Sequence, residues 1–114
     1  MIYYAKIFKG KDGYWSEFPD FKDLPGSEGN TIHEVLQNSQ EALEGVIESL
    51  FDRKCDIPQP KIYNGSSYYP VGIDDSLAIP VILRKIRISS GMTLKKMAGK
   101  LGITYQSYQN LETL

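Results

Sequence analysis

The chain has very little of the chemistry that stabilises small domains covalently or through a metal: among its 114 residues it contains one cysteine, Cys55, and one histidine, His33. A single cysteine excludes an intramolecular disulfide, and one cysteine with one histidine does not make a zinc site. No apolar run approaches the ~18 residues of a membrane span, and the N-terminus enters an alternating pattern without a signal peptide. We therefore expect a soluble cytoplasmic protein with no metal or other cofactor, no membrane segment and Cys55 as a partly buried thiol.

Acidic side chains are scarce near the C-terminus. Residues 80–114 carry Glu112 as their single acidic residue and have a charge balance of +5, whereas residues 1–79 have a balance of −6. A basic region suits nucleic acid, and an acidic region repels phosphate but complements a basic protein. The division indicates a C-terminal module for nucleic acid joined to a module for something else, although an acidic helix can also be an ordinary solvated surface.

The first two thirds of the chain predict a small antiparallel sheet covered by one long helix, an α+β fold. Residues 31–53 open with the capping box T-x-x-E of Thr31 and Glu34 and continue with apolar side chains at helical spacing. Such a stripe needs a sheet to cover it, and a hairpin about the Asp12-Gly13 turn would be marginal alone. Further strands are therefore expected, in the order β-β-β-α-β. The predicted strands cover residues 2–8, 14–18, 26–29 and 68–73.

Near the C-terminus the spacing predicts two short helices, at about 94–101 and 105–112, joined by a tight turn. Gly102 can end the first helix at positive φ, and Thr104 can cap the second. Ala98 is small enough for the second helix to cross close above it. This geometry is typical of a DNA-reading helix-turn-helix, whose second helix lies in the major groove. The alternative is an ordinary helical hairpin whose apolar residues are all core.

The same stretch resembles the Xre-type, phage-repressor-like family, with its pattern T-x-x-x-[apolar]-A-x-x-[apolar]-G-[apolar]-T-x-x-S-[apolar]-x-x-L-E. The pattern is met by Thr93, Met97, Ala98, Leu101, Gly102, Ile103, Thr104, Ser107, Tyr108, Leu111 and Glu112. The resemblance implies that Tyr105, Gln106 and Asn110 face the bases, and that the other polar residues hold phosphates. The expected DNA-contacting residues are Thr93, Lys95, Lys96, Thr104, Tyr105, Gln106, Ser107 and Asn110. One module reads few base pairs, so a homodimer or higher oligomer is expected.

A third helix is predicted to begin at Pro80, which suits a first helical position, and to end near Ser89. Its apolar side chains are expected to pack the helix-turn-helix; they are Val81, Leu83, Ile86 and Ile88. The sequence stops at Leu114, where repressor-like domains add further helices. We therefore expect a short module in which Tyr108 and Leu111 lack full cover. The expected domains are residues 1–74 and 80–114.

The N-terminal part contains an ordered series of short motifs. They are Asp12-Gly13-Tyr14, Phe18-Pro19-Asp20-Phe21, Pro25-Gly26, Gly29-Asn30-Thr31, Ala42-Leu43 and Ile57-Pro58-Gln59-Pro60. Over about residues 2–75 they resemble the HicB antitoxin family. The resemblance implies a degraded, partial ribonuclease-H-like fold and a partner, the small basic HicA toxin, an mRNA-cleaving protein that HicB binds and blocks. It also implies repression of its own operon through a C-terminal DNA-binding module.

Exposed aromatic and acidic residues of the hairpin and the following loop are the expected toxin contacts. Aromatic side chains are enriched in binding hot spots, and carboxylates complement a basic toxin. The expected contacts are Tyr3, Tyr14, Trp15, Glu17 and Asp20. Alternatively, the Tyr and Trp rings only pack the sheet.

Two other functions need different features. A stand-alone helix-turn-helix regulator with a ligand-sensing N-terminal domain would have a buried apolar pocket there. A metal-dependent nuclease of the ribonuclease-H type would have clustered carboxylates, one of them on the first strand. Residues 2–8 contain neither Asp nor Glu, and Glu17, Asp20 and Asp23 lie on a turn-rich segment. We therefore predict a protein that is not an enzyme, and the resemblance to HicB implies an antitoxin of a type II system.

Overall fold

The computed structural model describes residues 1–114 and separates into two units, Met1–Ile73 and Asp74–Leu114. The fold is α+β, with an open four-stranded antiparallel sheet and four helices. The N-terminal unit contains β1 (Ile2–Gly10), β2 (Gly13–Glu17), β3 (Ser27–Gly29), α1 (Ile32–Asp52) and β4 (Tyr68–Gly72). The C-terminal unit contains α2 (Asp75–Ser89), α3 (Leu94–Leu101) and α4 (Tyr105–Leu111). The order β-β-β-α-β is as predicted, and each element of the N-terminal unit is confirmed to within about two residues.

The sheet has the strand order β3-β2-β1-β4, and each neighbouring pair is antiparallel. Successive residues of a strand point to opposite faces of a sheet. Tyr3 and Ala5 of β1 are fully buried on the face that α1 covers, which we call the inner face. Tyr4 and Lys6 point to the opposite face, which no helix of the N-terminal unit covers.

Helix α1 begins at a side-chain cap and lies on the inner face along one stripe. Thr31 Oγ1 accepts a hydrogen bond from Glu34 N at 3.1 Å, which satisfies one of the free donors of the first turn. The buried residues of α1 are Val35, Ser39, Leu43, Ile47 and Phe51, spaced four apart. The one polar member, Ser39, donates to Val35 O and meets Ser16 Oγ of β2 at 2.5 Å. A buried pair of hydroxyls therefore joins helix to sheet.

Helices α3 and α4 lie within one residue of their predicted bounds, because residues at the helix ends themselves determine where each helix begins and ends. Thr93 and Thr104 cap the two N-termini. Gly102 adopts a left-handed conformation with φ 69°, which ends α3 and which glycine takes without steric cost. Ala98 is buried, in agreement with a close crossing of the two helices. The predictions for Gly102 and Thr104 are confirmed.

Helix α2 begins five residues before the predicted start at Pro80. Asp74 accepts hydrogen bonds from Ser76 N at 2.9 Å and from Ser76 Oγ at 2.8 Å, and these bonds lower the pKa of Asp74. This cap starts the helix one turn earlier and leaves Pro80 inside it. Pro80 has no N–H to donate to the carbonyl four residues before it, a loss that falls close to the helix start. The prediction that Pro80 is the first helical residue is wrong.

Three expectations about burial are also wrong. Ile86 is 47% exposed because it points away from the stripe of α2 that contains the buried residues Leu77, Ala78 and Val81, and Ile88, near the end of the helix, is 61% exposed. Cys55 is exposed, since the chain leaves the end of α1 through the positive-φ residue Lys54. Tyr108 is fully buried, although Leu111 is 43% exposed as expected. No helix of the protein combines the length and the apolar character that crossing a membrane requires.

Candidate functional site

Tyr3 is part of the core and does not lie on an exposed binding surface. Its side chain is fully buried, its hydroxyl donates to Pro58 O at 2.7 Å, and its ring meets Phe21 edge-on at 5.0 Å between centroids. Burial raises the pKa of Tyr3, with a smaller contribution from Asp20. Tyr3 therefore fastens β1 to the segment that follows α1, and the expectation that it is exposed is wrong.

Asp20, of the Phe18-Pro19-Asp20 motif, holds the long connection between α1 and β4. Its two carboxylate oxygens accept from Lys61 N at 3.1 Å and from Tyr63 Oη at 2.8 Å. The bond from Tyr63 raises the pKa of that tyrosine. Asp20 is half-buried and engaged on both oxygens, so its contacts within the chain account for its presence.

Trp15 and Glu17 lie together on the face of the sheet opposite to α1. Trp15 is 41% exposed and pairs with Phe8, while Glu17 is exposed and pairs with Lys6. Tyr14, which directly precedes Trp15, points to the inner face and is half-buried. The structure therefore brings together two of the five residues expected to contact a toxin and separates them from Tyr3 and Tyr14.

Sequence reasoning missed the row of side chains that begins at Trp15 and continues through Phe8 and Lys6 to Tyr68. Phe8 stacks on Trp15 with centroids 5.2 Å apart and planes 10° apart. Lys6 Nζ lies 5.1 Å from the ring centroid of Phe8 and 5.9 Å from that of Tyr68. Tyr68 in turn stacks on Tyr63 at 5.3 Å. The alternation along β1 could have placed Lys6 and Phe8 on one face with Tyr4, but only the pairing with β2 and β4 brings Trp15 and Tyr68 beside them.

An open cleft of about 430 Å³ lies beside the β1–β2 turn. Its walls combine backbone with aromatic and charged side chains; they include Lys11, Asp12, Tyr14, Trp15, Glu28 and Glu34. This is not the buried apolar pocket that a ligand-sensing domain would have. No group of three or more His, Cys, Asp or Glu side chains is placed to hold a metal ion.

The residues expected to contact DNA are all exposed in the C-terminal unit. Thr93 Oγ1 accepts from Lys96 N at 3.1 Å, and Thr104 Oγ1 accepts from Ser107 N at 3.1 Å, so both threonines cap helices. Thr104 also donates to Ser107 Oγ at 2.8 Å, which leaves the Ser107 hydroxyl proton free to donate elsewhere.

Gln106 and Asn110 occupy adjacent turns of one face of α4. Gln106 Nε2 donates to Asn110 Oδ1 over a long 3.4 Å, and both side chains are exposed. The rest of each amide, an acceptor and a donor, is free to pair with other groups. The structure therefore groups these two amides, with Tyr105 exposed one residue before Gln106.

An ion pair that the sequence analysis did not anticipate ties α2 to the end of α4. Arg87 donates to both carboxylate oxygens of Glu112, from Nε at 2.8 Å and from the second terminal nitrogen at 3.0 Å, and to Met92 O at 3.2 Å. Glu112 is buried, and its hydrogen bonds raise the pKa of Arg87. Burial, with the nearby Glu112 carboxylate, raises the pKa of Tyr108 to about 12. The sequence did contain a signal for this ion pair, because Glu112 is the only acidic residue among the basic residues 80–114.

No protein-family model and no curated protein matches the chain. Among solved structures, one described as the HicA3 and HicB3 toxin-antitoxin complex is similar at 30% identity with a TM-score of 0.54; the match covers 65% of this chain and 99% of that chain. A toxin-antitoxin complex from Streptococcus pneumoniae is similar at 17% identity with a TM-score of 0.57, covering 89% of this chain and 95% of that chain. The second similarity shows the fold alone.

The fold of the protein is thus similar to that of chains in toxin–antitoxin complexes, over 65% of this chain in the first case and 89% in the second. The match at 30% identity covers 99% of one chain of the HicA3–HicB3 complex. The protein is therefore a member of the proteins that form toxin–antitoxin systems.

Proposed function

We propose that the protein is the antitoxin of a type II HicAB system, which binds and neutralises the mRNA-cleaving HicA toxin and represses its own operon. The observation that carries the proposal is the 30% identity to a chain from a structure of HicA3 and HicB3. The ordered motifs from Asp12-Gly13 to Ile57-Pro58 and the order β-β-β-α-β support the HicB side of the pair and a partial ribonuclease-H-like fold.

The division of labour follows the charge. The N-terminal unit, residues 1–73, carries seven Lys/Arg against eleven Asp/Glu and binds the toxin, which is basic. The C-terminal unit binds operator DNA through a helix-turn-helix formed by α3 and α4, and acts as a homodimer or higher oligomer on two half-sites. The protein is a regulator without enzymatic activity, because β1, where a ribonuclease-H-like nuclease needs a carboxylate, has none.

Co-expression with the product of the adjacent gene tests the antitoxin function. We expect that product, a small basic protein, to arrest growth when expressed alone and to form a stable complex with this chain that restores growth. A neighbouring product that is harmless, or one that stays free and toxic beside this chain, would contradict the proposal.

Two substitutions separate base reading from phosphate binding in the C-terminal unit. Gln106→Ala removes an amide that pairs with adenine and should cost about 1–3 kcal/mol of discrimination between operator and random DNA. Lys96→Ala should weaken binding to all sequences evenly and reduce the dependence on salt. Binding is measured by fluorescence anisotropy on operator and scrambled duplexes at several salt concentrations.

Gln37→Ala is the matched control, since Gln37 is an exposed amide on α1 in the other unit. It should leave both binding curves unchanged. Equal losses on operator and scrambled DNA for Gln106→Ala would remove that residue from base recognition.

A further inference from the structure

We propose that a basic protein partner docks on the outer face of the N-terminal sheet, the face opposite α1, with Trp15 at its centre. The outer face is formed by Tyr4, Lys6, Phe8, Trp15, Glu17 and Tyr68. The inference rests on the proposed function, in which that partner is the toxin. It differs from the sequence-based expectation by excluding Tyr3, Tyr14 and Asp20 and by adding four residues of β1 and β4.

The strand register places these side chains in one continuous patch. Phe8 lies directly opposite Trp15, and Lys6 lies between Glu17 on one side and Tyr68 on the other. Residues directly opposite in an antiparallel pair have neighbouring side chains on the same face. The patch therefore crosses the three longest strands of the sheet.

The patch is ordered before any partner arrives. The ring of Trp15 stacks on Phe8, and the ammonium of Lys6 lies over the rings of both Phe8 and Tyr68. Rings held in this way lose little conformational entropy on binding. Aromatic side chains that combine rigidity with exposed area are the usual centres of protein interfaces.

The edge of β4 gives a partner little chance to add a strand. The backbone bonds from Ile7 N to Ser67 O and from Ile73 N to Met1 O show that the odd-numbered residues of β4 form the hydrogen bonds to β1. The backbone N–H and C=O groups of the even-numbered residues therefore point away from β1, towards the free edge of the sheet. Of these, Pro70 has no N–H, and Tyr68 N already donates to Gly65 O at 3.3 Å.

The opposite edge, β3, is closed in a similar way. By the same alternation, Glu28 is the outward residue of this three-residue strand, and its carbonyl accepts from Asn38 Nδ2 at 2.8 Å. With both edges obstructed, the sheet offers its face rather than its backbone to a partner. Recognition therefore depends on the side chains of the outer face.

Charge selects a basic protein as the occupant. Lys6 is engaged with two rings, whereas Glu17 and Glu28 are exposed at the margin of the face. Trp15 also lines the cleft beside the β1–β2 turn, together with Asp12, Glu28 and Glu34. An arginine or lysine of the partner can enter this cleft and meet carboxylates and the Trp15 ring at once. Nucleic acid would be repelled by the same carboxylates.

Two glycines on the outer face allow a matched test. A Cβ added at Gly10 would lie 2.8 Å from Cζ3 of Trp15, so the ring has to move, whereas a Cβ added at Gly72 would meet nothing within 4 Å. Gly10→Ala therefore displaces Trp15 without changing it, and Gly72→Ala places the same methyl group on the same face harmlessly. Trp15→Ala removes the ring.

The probe is the purified small basic product of the adjacent gene, titrated against the full-length variants. We expect Trp15→Ala to weaken binding roughly 30-fold or more, the loss usual for a central aromatic residue. Gly10→Ala should weaken binding several-fold, and Gly72→Ala should stay within twofold of the unmodified protein. Because Trp15 is the only tryptophan of the chain, its emission should shift to shorter wavelength on complex formation. Circular dichroism checks that each variant is folded.

The outcomes separate this inference from the proposed function. If the complex forms and neither Trp15→Ala nor Gly10→Ala weakens it, the partner docks elsewhere and the inference is overturned, while the proposed function stands. If the unmodified protein forms no complex, the proposed function fails and this inference fails with it. A Trp15 shift caused by single-stranded RNA, or by raising the concentration of this protein alone, would assign the face to a different occupant and overturn the inference.

Discussion

The two units of the protein differ in what holds them together. The N-terminal unit is built on non-local burial: β1 pairs with β4, some 65 residues later, and α1 closes the inner face with five buried side chains. The C-terminal unit buries few large side chains and relies on three capped helices and the Arg87–Glu112 pair. The N-terminal unit has a well-buried core and one sheet face that none of its own helices covers. The C-terminal unit has a small core and exposes many polar side chains.

The largest effect that tests this difference is expected in the N-terminal core. Leu43 is fully buried between α1 and the sheet, so Leu43→Ala should lower the free energy of unfolding of that unit by about 3 kcal/mol. Urea unfolding followed by Trp15 fluorescence measures it. Leu36→Ala, at a half-buried position of the same helix, is the control and should cost clearly less. Equal losses would show that α1 does not bury the stripe described.

In the C-terminal unit, the change expected to lower the free energy of unfolding most is the loss of the Arg87–Glu112 ion pair. Glu112→Gln leaves Arg87 without its charged partner in a largely buried site, and should cost about 2 kcal/mol. The Ala98 methyl resonance reports this unit, while Trp15 fluorescence should be unaffected. Glu48→Gln, the same change at an exposed position of α1, should alter neither signal. A loss seen equally by Trp15 would mean that the two units do not unfold separately.

The serine pair between β2 and α1 should contribute less. Ser39→Ala leaves the buried Ser16 hydroxyl without its partner and should cost about 1–2 kcal/mol, whereas the double change Ser16→Ala/Ser39→Ala should cost less than the sum of the single changes. Urea unfolding of the four proteins gives the coupling. Strict additivity would indicate that the two hydroxyls do not interact.

The effect that is smallest at neutral pH, where it vanishes, is a loss of C-terminal stability at high pH. Folding raises the pKa of Tyr108 to about 12, whereas an unfolded tyrosine has a pKa of about 10. The folded state therefore keeps its proton where the unfolded state loses it, so stability is complete below about pH 10 and declines as the pH rises towards 12. Thermal unfolding monitored at the Ala98 methyl should show this decline. Tyr108→Phe should abolish it, and Tyr105→Phe, at an exposed position, should keep it.

The sequence predicted best the features that adjacent residues determine. Gly102 and Thr104 specify where one helix ends and the next begins, and the capping box at Thr31 specifies the start of α1, so these bounds were confirmed. The start of α2 was missed because two local signals compete there. Asp74 provides a cap, and Pro80 is compatible with a later start; the cap prevails, and the helix accepts the proline.

Features that depend on which residues meet across the fold were not predictable in the same way. Tyr3 is in a strand whose two faces both carry aromatic rings, and only the position of α1 decides that Tyr3 is inside and Tyr4 outside. The row of side chains from Trp15 through Phe8 and Lys6 to Tyr68 depends on the registers of two strand pairs. The Arg87–Glu112 ion pair joins residues that are 25 positions apart in the sequence. Residue types at these positions permit the contacts, but the chain path creates them.

Pro70 has a consequence for the protein when no partner is present. An exposed strand edge is a template on which other chains can add strands, and this is a common route to aggregation. By withholding an N–H from the edge of β4, Pro70 interrupts any ladder that a second molecule could build there. A protein that exposes an aromatic sheet face can then accumulate in excess over its partner without forming fibres from that edge.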